Sequence, residues 1–334
     1  MRIIIYGAGA IGSVLGGHLF RSGHSVVLVG NVDHMNAVKS RGLKLVTAEE
    51  TFVLHIPVAD NADQLAPFTN EDLVLLCAKS QHTVKCLGQI KNAGAPSTLP
   101  IFCCQNSIWN ESIATRIFQR IYGVMLFVDA IFLSPGEVIN PMRTRYGFIE
   151  LGSYPSGSDK LCKDIAETFR RSGFGCNIKD DVMKSKGAKC LLNLSNALHA
   201  VTDGKGDLEA FGHELRREAI KVWSSAGIEW ENLESFRERC HKNTGAQKLP
   251  ADYDHFTREV FVSSWQSLAR GTGDIEAAQL NGDVVMLGQL LGIPTPYNDL
   301  LWHIADRMAS KHEKPGKYTA DELARAIQQG NRLA

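Results

Sequence analysis

Short apolar runs alternate with helix-spaced patterns through the first 180 residues. Residues 3–6 form an apolar run, and a helix pattern follows over 11–22 and stops at Gly23. Residues 25–29 are a β-branched run, and 34–40 read as a helix ended by Gly42. Strands are predicted over 43–47 and 51–58. Residues 73–77 and 101–104 are apolar without interruption, as parallel strands covered on both faces are. Such alternation predicts a doubly wound α/β sheet.

The texture changes over 122–152. Segments 124–127, 130–133, 137–139 and 148–151 are strand-like, with a turn at Pro135-Gly136, and predict an antiparallel extension of the sheet. A helix over 159–172 and a strand over 175–178 complete this part. Beyond Asp180-Asp181, either of which is placed to cap the next helix, the pattern is helical over 182–201, 208–226, 233–241, 255–270, 275–291, 298–311 and 320–329. Thr319 and Glu322 fit a capping box. The expected plan is an α/β Rossmann-type dinucleotide-binding domain over 1–180 and an all-α substrate and catalytic domain over 181–334.

Lys+Arg and Asp+Glu both number 36 in the 334 residues, so no net charge argues for nucleic acid or an acidic membrane as partner. No run reaches the ~18 apolar residues of a membrane span. The opening Met1-Arg2-Ile3-Ile4-Ile5-Tyr6 goes straight into a strand rather than a secretory signal, so a cytoplasmic location is expected. The eight cysteines show no C-x-x-C spacing and read as small buried thiols, not metal ligands.

Gly7-Ala8-Gly9-Ala10-Ile11-Gly12 is G-x-G-x-x-G directly after a strand and opening a helix, the context a dinucleotide site requires. Gly7 allows the tight turn, Gly9 lets a pyrophosphate reach the backbone, and Gly12 lets helix and strand pack closely. The helix N-terminus offers the anion unpaired N–H groups and a partial positive charge. The second strand ends Gly30-Asn31-Val32-Asp33, with neither a terminal acid for NAD nor an arginine for NADP. Asn31 can hydrogen-bond either cofactor, and Lys39 and Arg41 read as solvated. Lys79 and Asn106 follow the next two apolar runs, where ribose, nicotinamide or substrate would lie.

Lys189, Asn193 and Asn196 are spaced i, i+4, i+7, which places them on one face of an apolar helix. Burying three polar groups there without a purpose is costly. Lys184 and Lys186, earlier in the helix, read as solvent-facing. Glu276 opens another long apolar helix and is followed by Asn281-Gly282.

Taken in order, these segments resemble the ketopantoate reductase family over nearly the whole chain. The likeness covers the glycine loop, the Lys79 segment, Gln105-Asn106 with Asn110-Glu111, the Lys189/Asn193 helix, Ser263-Ser264, and Glu276 with Asn281-Gly282. It implies a C-terminal domain like that of 6-phosphogluconate dehydrogenase. It also implies Lys189 as proton donor, Glu276 as the acid of the site, and Asn193, Asn196 and either Ser263 or Ser264 as substrate contacts. Lys79 and Asn106 become cofactor-side residues, the cofactor NADP with NAD still open, and the partner a small 2-oxo acid. Two copies pairing as a homodimer is an analogy at the level of fold. The sequence departs from the family where Asn31 replaces a common arginine, where Ser107 replaces a common glycine, and where Asn196 stands one residue early with Ala197 after it.

The expected reaction is reduction of 2-dehydropantoate to pantoate, within pantothenate and coenzyme A biosynthesis. A lysine has a reference pKa of ~10.4, so Lys189 would be charged and able to stabilise and protonate the developing alkoxide. The alternatives are reduction of another 2-oxo or 3-oxo acid, and a dinucleotide-sensing regulatory protein without turnover.

Overall fold

The computed structural model describes residues 1–256 and 258–330. The chain forms two compact units. One comprises residues 1–186 with 231–255, and the other 187–230 with the residues from 256 onward.

The first unit is built on eleven strands: β1 Arg2–Tyr6, β2 Ser25–Val29, β3 Leu43–Thr47, β4 Thr51–Leu54, β5 Val58–Ala59, β6 Asp72–Leu76, β7 Ile101–Cys103, β8 Ile121–Phe127, β9 Glu137–Asn140, β10 Phe148–Ser153 and β11 Gly175–Ile178. Eight of them form one sheet in the order β11-β10-β8-β7-β6-β1-β2-β5. Pairing is parallel from β5 through to β8, and β10 joins antiparallel to β8. The chain first works outward from β1 through β2 to β5, then returns to lay down β6, β7 and β8 on the other side. The carboxyl end of β1 is therefore the switch point at which open α/β sheets bind ligands.

Alternation along β1 sends Ile3 and Ile5 into one apolar layer and Ile4 and Tyr6 into the other. Val14, Leu15 and Leu19 of the helix Ala10–Arg21 cover the first face. Leu87 and Ile90 of the helix Thr83–Asn92 cover the second. With both faces covered, the central strands have no polar side to show, which is why their runs are continuous.

The extension expected over 122–152 is only partly antiparallel. β8 continues the parallel set, and β9 leaves it to pair parallel with β3 in a separate three-stranded sheet, β4-β3-β9. That route lets buried Val138 pack with Leu43 and Leu45. Residues 130–133 contribute a single bridge, Ile131 to Ile139.

The helix Leu233–Asn243 also belongs to the first unit. Arg239 forks onto buried Glu150 of β10, with Nε–Oε1 and Nη2–Oε2 distances of 2.8 and 3.1 Å. Glu231 joins this cluster through Arg239 and Lys179.

The second unit is helical: Asn196–Val201, Leu208–Ser225, Ser263–Arg270, Asp283–Leu291, Pro296–Ser310 and Ala320–Gln328, together with the end of Val182–Asn193. The capping box at Thr319 and Glu322 is present. Three predicted helices are interrupted. The one expected over 182–201 breaks at Leu194-Ser195, and the one expected over 255–270 is a short 3-10 turn, Arg258–Phe261, then Ser263–Arg270. The one expected over 275–291 starts after Glu276 and runs through a π-helical stretch, Ala278–Gly282.

Candidate active site

The glycine loop sits on the ends of three adjacent strands. The N–H groups of Gly7 and Ala8 both donate to the Val29 carbonyl of β2 at 2.8 Å. The N–H groups of Cys77 and Ala78, beyond β6, donate to the Tyr6 carbonyl of β1 at 2.8 and 3.1 Å. Gly7 has φ +102°, and a side chain there would overlap the backbone of Ala78. A Cβ at Gly12 would fall 2.5 Å from the Gly7 carbonyl oxygen and 2.9 Å from Cγ2 of Ile5. At Gly9, by contrast, a Cβ would meet nothing within 4 Å. This open ground adjoins the N-terminus of the helix Ala10–Arg21, which has no side-chain cap and no acid in its first turn. The residues present thus fit a dinucleotide pyrophosphate, which the open ground at Gly9 and the uncapped helix N–H groups would hold.

Lys79 follows β6 and precedes the short 3-10 helix Ser80–His82. Asn106 follows β7, in a loop fixed by buried hydrogen bonds. Its carbonyl accepts from Ser80 Oγ at 3.0 Å and from Asn110 Nδ2 at 2.8 Å. Gln105 Nε2 donates to Thr83 Oγ1, which donates to Asn110 Oδ1, each at 2.7 Å. Gln105 and Asn110 are therefore scaffold for the loop that carries Asn106. Ser107 adopts φ +72°, a conformation that favours glycine, which accounts for the glycine common at this point in the family.

Asn31 caps the helix Val32–Arg41, its side-chain oxygen accepting from the Asp33 N–H at 2.9 Å. The two cations expected to be solvated are exposed, and both have partners on the surface. Lys39 pairs with Asp60 at 2.5 Å, and Arg41 donates to the Pro135 carbonyl at 2.9 Å.

Lys186 is not solvent-facing. It is 4% exposed, pairs with fully buried Glu111, and donates to the Cys103 carbonyl at the end of β7 at 3.1 Å. Burial pushes the Glu111 carboxyl above its usual range, and the Lys186 ammonium opposes that shift. The run Ser185, Gly187, Ala188 around Lys186 was the available signal, since small side chains mark a tightly packed stretch of helix.

In the second unit, half-buried Lys189 and buried Asn193 lie on the helix Val182–Asn193. Asn196 opens the next helix, so the three do not share one continuous face. The Leu194 carbonyl at the break accepts from Asn281 Nδ2 at 3.1 Å. Ser263 is exposed and Ser264 is 3% exposed at the start of the helix Ser263–Arg270, which packs against Asn196–Val201. Glu276 is half-buried, just ahead of the π-helical stretch. All eight cysteines are free thiols, seven of them buried. Among the described residues, no helix is long and apolar enough to cross a membrane.

The family model "Ketopantoate reductase PanE/ApbA" matches residues 3–156, and its C-terminal counterpart matches residues 181–309. A 2-dehydropantoate 2-reductase of Pyrococcus horikoshii is 27% identical over 310 residues, covering 90% of this chain and 95% of the relative. A PanE/ApbA family ketopantoate reductase structure from Ralstonia eutropha superposes with a TM-score of 0.73 at 24% identity, covering 93% of this chain and 99% of that one. D-mandelate dehydrogenase in complex with NADH and anilino(oxo)acetate superposes with a TM-score of 0.75 at 22% identity, with coverage of 93% and 99%. These two likenesses carry the fold, and the family models, running through both units, carry the assignment: this chain belongs to the ketopantoate reductase family.

Proposed function

We propose that this chain reduces 2-dehydropantoate to pantoate with a reduced nicotinamide dinucleotide, a step of pantothenate and coenzyme A biosynthesis. The observation that carries the reading is the extent of the family match. The range 3–156 contains the glycine loop, Asn31, Lys79 and Asn106, and the range 181–309 contains Lys189, Asn193, Asn196, Ser263, Ser264 and Glu276.

When bound, the reduced nicotinamide supplies the hydride that the C2 carbonyl carbon accepts. The glycine loop and the helix N-terminus hold the pyrophosphate, while Lys79 and Asn106 contact the nicotinamide side. Lys189 stabilises the charge developing on the carbonyl oxygen and gives it a proton, leaving the 2-hydroxy acid. Glu276 orients Lys189 or accepts from a substrate hydroxyl. Asn193, Asn196 and a hydroxyl from Ser263 or Ser264 hold the polar groups of the acid. In this reading residues 1–180 bind the dinucleotide and residues 181–334 supply substrate contacts and catalysis, in a cytoplasmic enzyme that pairs as a homodimer.

NADPH is the cofactor the family resemblance implies. The end of β2 supports NADH as well, because Lys39 and Arg41 have other partners and Asp33 lies close to Asn31. Titration with each reduced cofactor, followed by a turnover assay with 2-dehydropantoate, tests both parts. Binding of neither cofactor sinks the reading. Binding without oxidation by any 2-oxo acid favours a sensor instead. A second reading, reduction of a different 2-oxo or 3-oxo acid, rests on the departure from the family's sequence pattern at Asn196 and Ala197. A substrate panel separates the two.

A further inference from the structure

Asn281 and Gly282 belong to the motif that follows Glu276, and the reduction as described gives them no task. Both are buried, as are Asn298 and Glu218. Asn281 Nδ2 donates to Asn298 Oδ1 at 2.9 Å as well as to the Leu194 carbonyl at 3.1 Å. Asn298 Nδ2 in turn donates to the Leu215 carbonyl at 3.1 Å and to Glu218 Oε2 at 2.8 Å. The Glu218 carboxylate also accepts from the N–H groups of Tyr297 and Asn298, both at 3.0 Å. It thereby closes the N-terminus of the helix Pro296–Ser310, whose Thr295 cap makes no side-chain bond.

One chain of hydrogen bonds therefore runs from the helix Leu208–Ser225 to the break at Leu194-Ser195. A carbonyl released by a buried helix break needs a donor, or it costs about as much as a lost hydrogen bond. Asn281 is that donor. The break separates Asn193 from Asn196, so the bond decides how the two amides are presented. Asn281 also lies inside the π-helical stretch, whose wider turn takes up an extra residue two to six positions after Glu276.

We propose that Asn281 is a positioning residue for the substrate. It holds the break open between Asn193 and Asn196 and anchors the segment that begins at Glu276 to that break. The inference rests on the assignment of Asn193 and Asn196 to substrate binding.

The test uses the full chain, steady-state kinetics with 2-dehydropantoate and reduced cofactor, thermal melting, and amide exchange over residues 194–199. Asn281→Ala should raise the KM for 2-dehydropantoate ~10-fold or more, as loss of a buried hydrogen-bonded position does. The KM for the reduced cofactor should stay within ~2-fold, because no cofactor contact is touched. Exchange at Ala197–His199 should accelerate. Thr319→Ala serves as a control of similar melting loss, and it should shift neither KM. Asn281→Ser, which keeps a small donor, covers a failure of the alanine variant to fold and should give a smaller rise of the same kind. Unchanged substrate KM, or equal shifts in both constants, overturns the positioning role. If Asn193→Ala raises the substrate KM while Asn281→Ala does not, the positioning role fails and the substrate assignment stands. If Asn193→Ala and Asn196→Ala both leave it unchanged, the substrate assignment fails, and this inference with it.

Discussion

Lys186 and Glu111 form an ion pair that is almost wholly removed from solvent, with Lys186 also bonded to the last carbonyl of β7. Within the first unit, the pair joins residue 186 to the helix Asn110–Ala114, which follows the Asn106 loop. Removing one partner leaves the other charge buried and alone, which typically costs ~3–5 kcal/mol. Lys186→Met and Glu111→Gln should therefore each be strongly destabilised, and the double variant should recover most of the loss. Urea denaturation of the four proteins as a double-mutant cycle measures this. Independent, additive losses would show that the pair does not act as one.

Gly7 and Gly9 should separate folding from binding. Gly7→Ala places a side chain at positive φ against the Ala78 backbone, and strain of this kind costs ~1–3 kcal/mol before any clash is counted. Gly9→Ala meets nothing in the protein, so its melting temperature should be unchanged while affinity for the dinucleotide falls ~10-fold or more. Calorimetric melting and cofactor titration check both. A Gly9→Ala protein that binds normally would put the pyrophosphate elsewhere.

Lys189→Ala should lower turnover by ~10²–10⁴-fold, the usual span for a general acid, with cofactor binding largely kept. Single-turnover kinetics alongside a cofactor titration decides it. Near-normal turnover removes Lys189 from the mechanism.

Acid should loosen the first unit through His34. This buried ring accepts from the Gly136 N–H at Nδ1, 2.8 Å away, so its proton sits on Nε2, facing Ser13 Oγ at 2.9 Å. Burial lowers its pKa to about 4. Between the unfolded value near 6.5 and that folded value, the unfolded chain binds a proton that the native ring refuses. The stabilisation is therefore complete above ~6.5 and falls by about 3 kcal/mol as the pH approaches 4. Buried His18, lowered to about 3, adds to the same trend. Denaturation midpoints at several pH values should drop more steeply for the native chain than for His34→Gln. Parallel curves would exclude His34.

The readable parts of the molecule were those written in local sequence. The run Ile3–Ile5, the glycine loop and the apolar stretches ahead of Lys79 and Asn106 specify a parallel sheet and the loops at its carboxyl end without reference to anything distant. The break after Asn193 was not readable, because the group that holds it, Asn281, lies 87 residues away in the chain. The burial of Lys186 is illegible for the same reason, since Glu111 is 75 residues away. β9 has an ordinary strand sequence, and its choice of β3 over the main sheet depends on where Val138 finds cover. The family is legible in the order and spacing of Lys189, Asn193, Glu276 and Asn281 because such a resemblance depends on sequence position and does not require the helices to be continuous.

Residues 231–255 fold with the first unit although residues 187–230 belong to the second. Synthesis on the ribosome must therefore deliver the sheet long before the helix that completes it. Until Arg239 emerges, Glu150 on β10 lacks the guanidinium that forks onto it in the finished chain. A segment that ends before residue 231 leaves out part of the first unit, so a cut between the two units cannot be made at one point in the sequence.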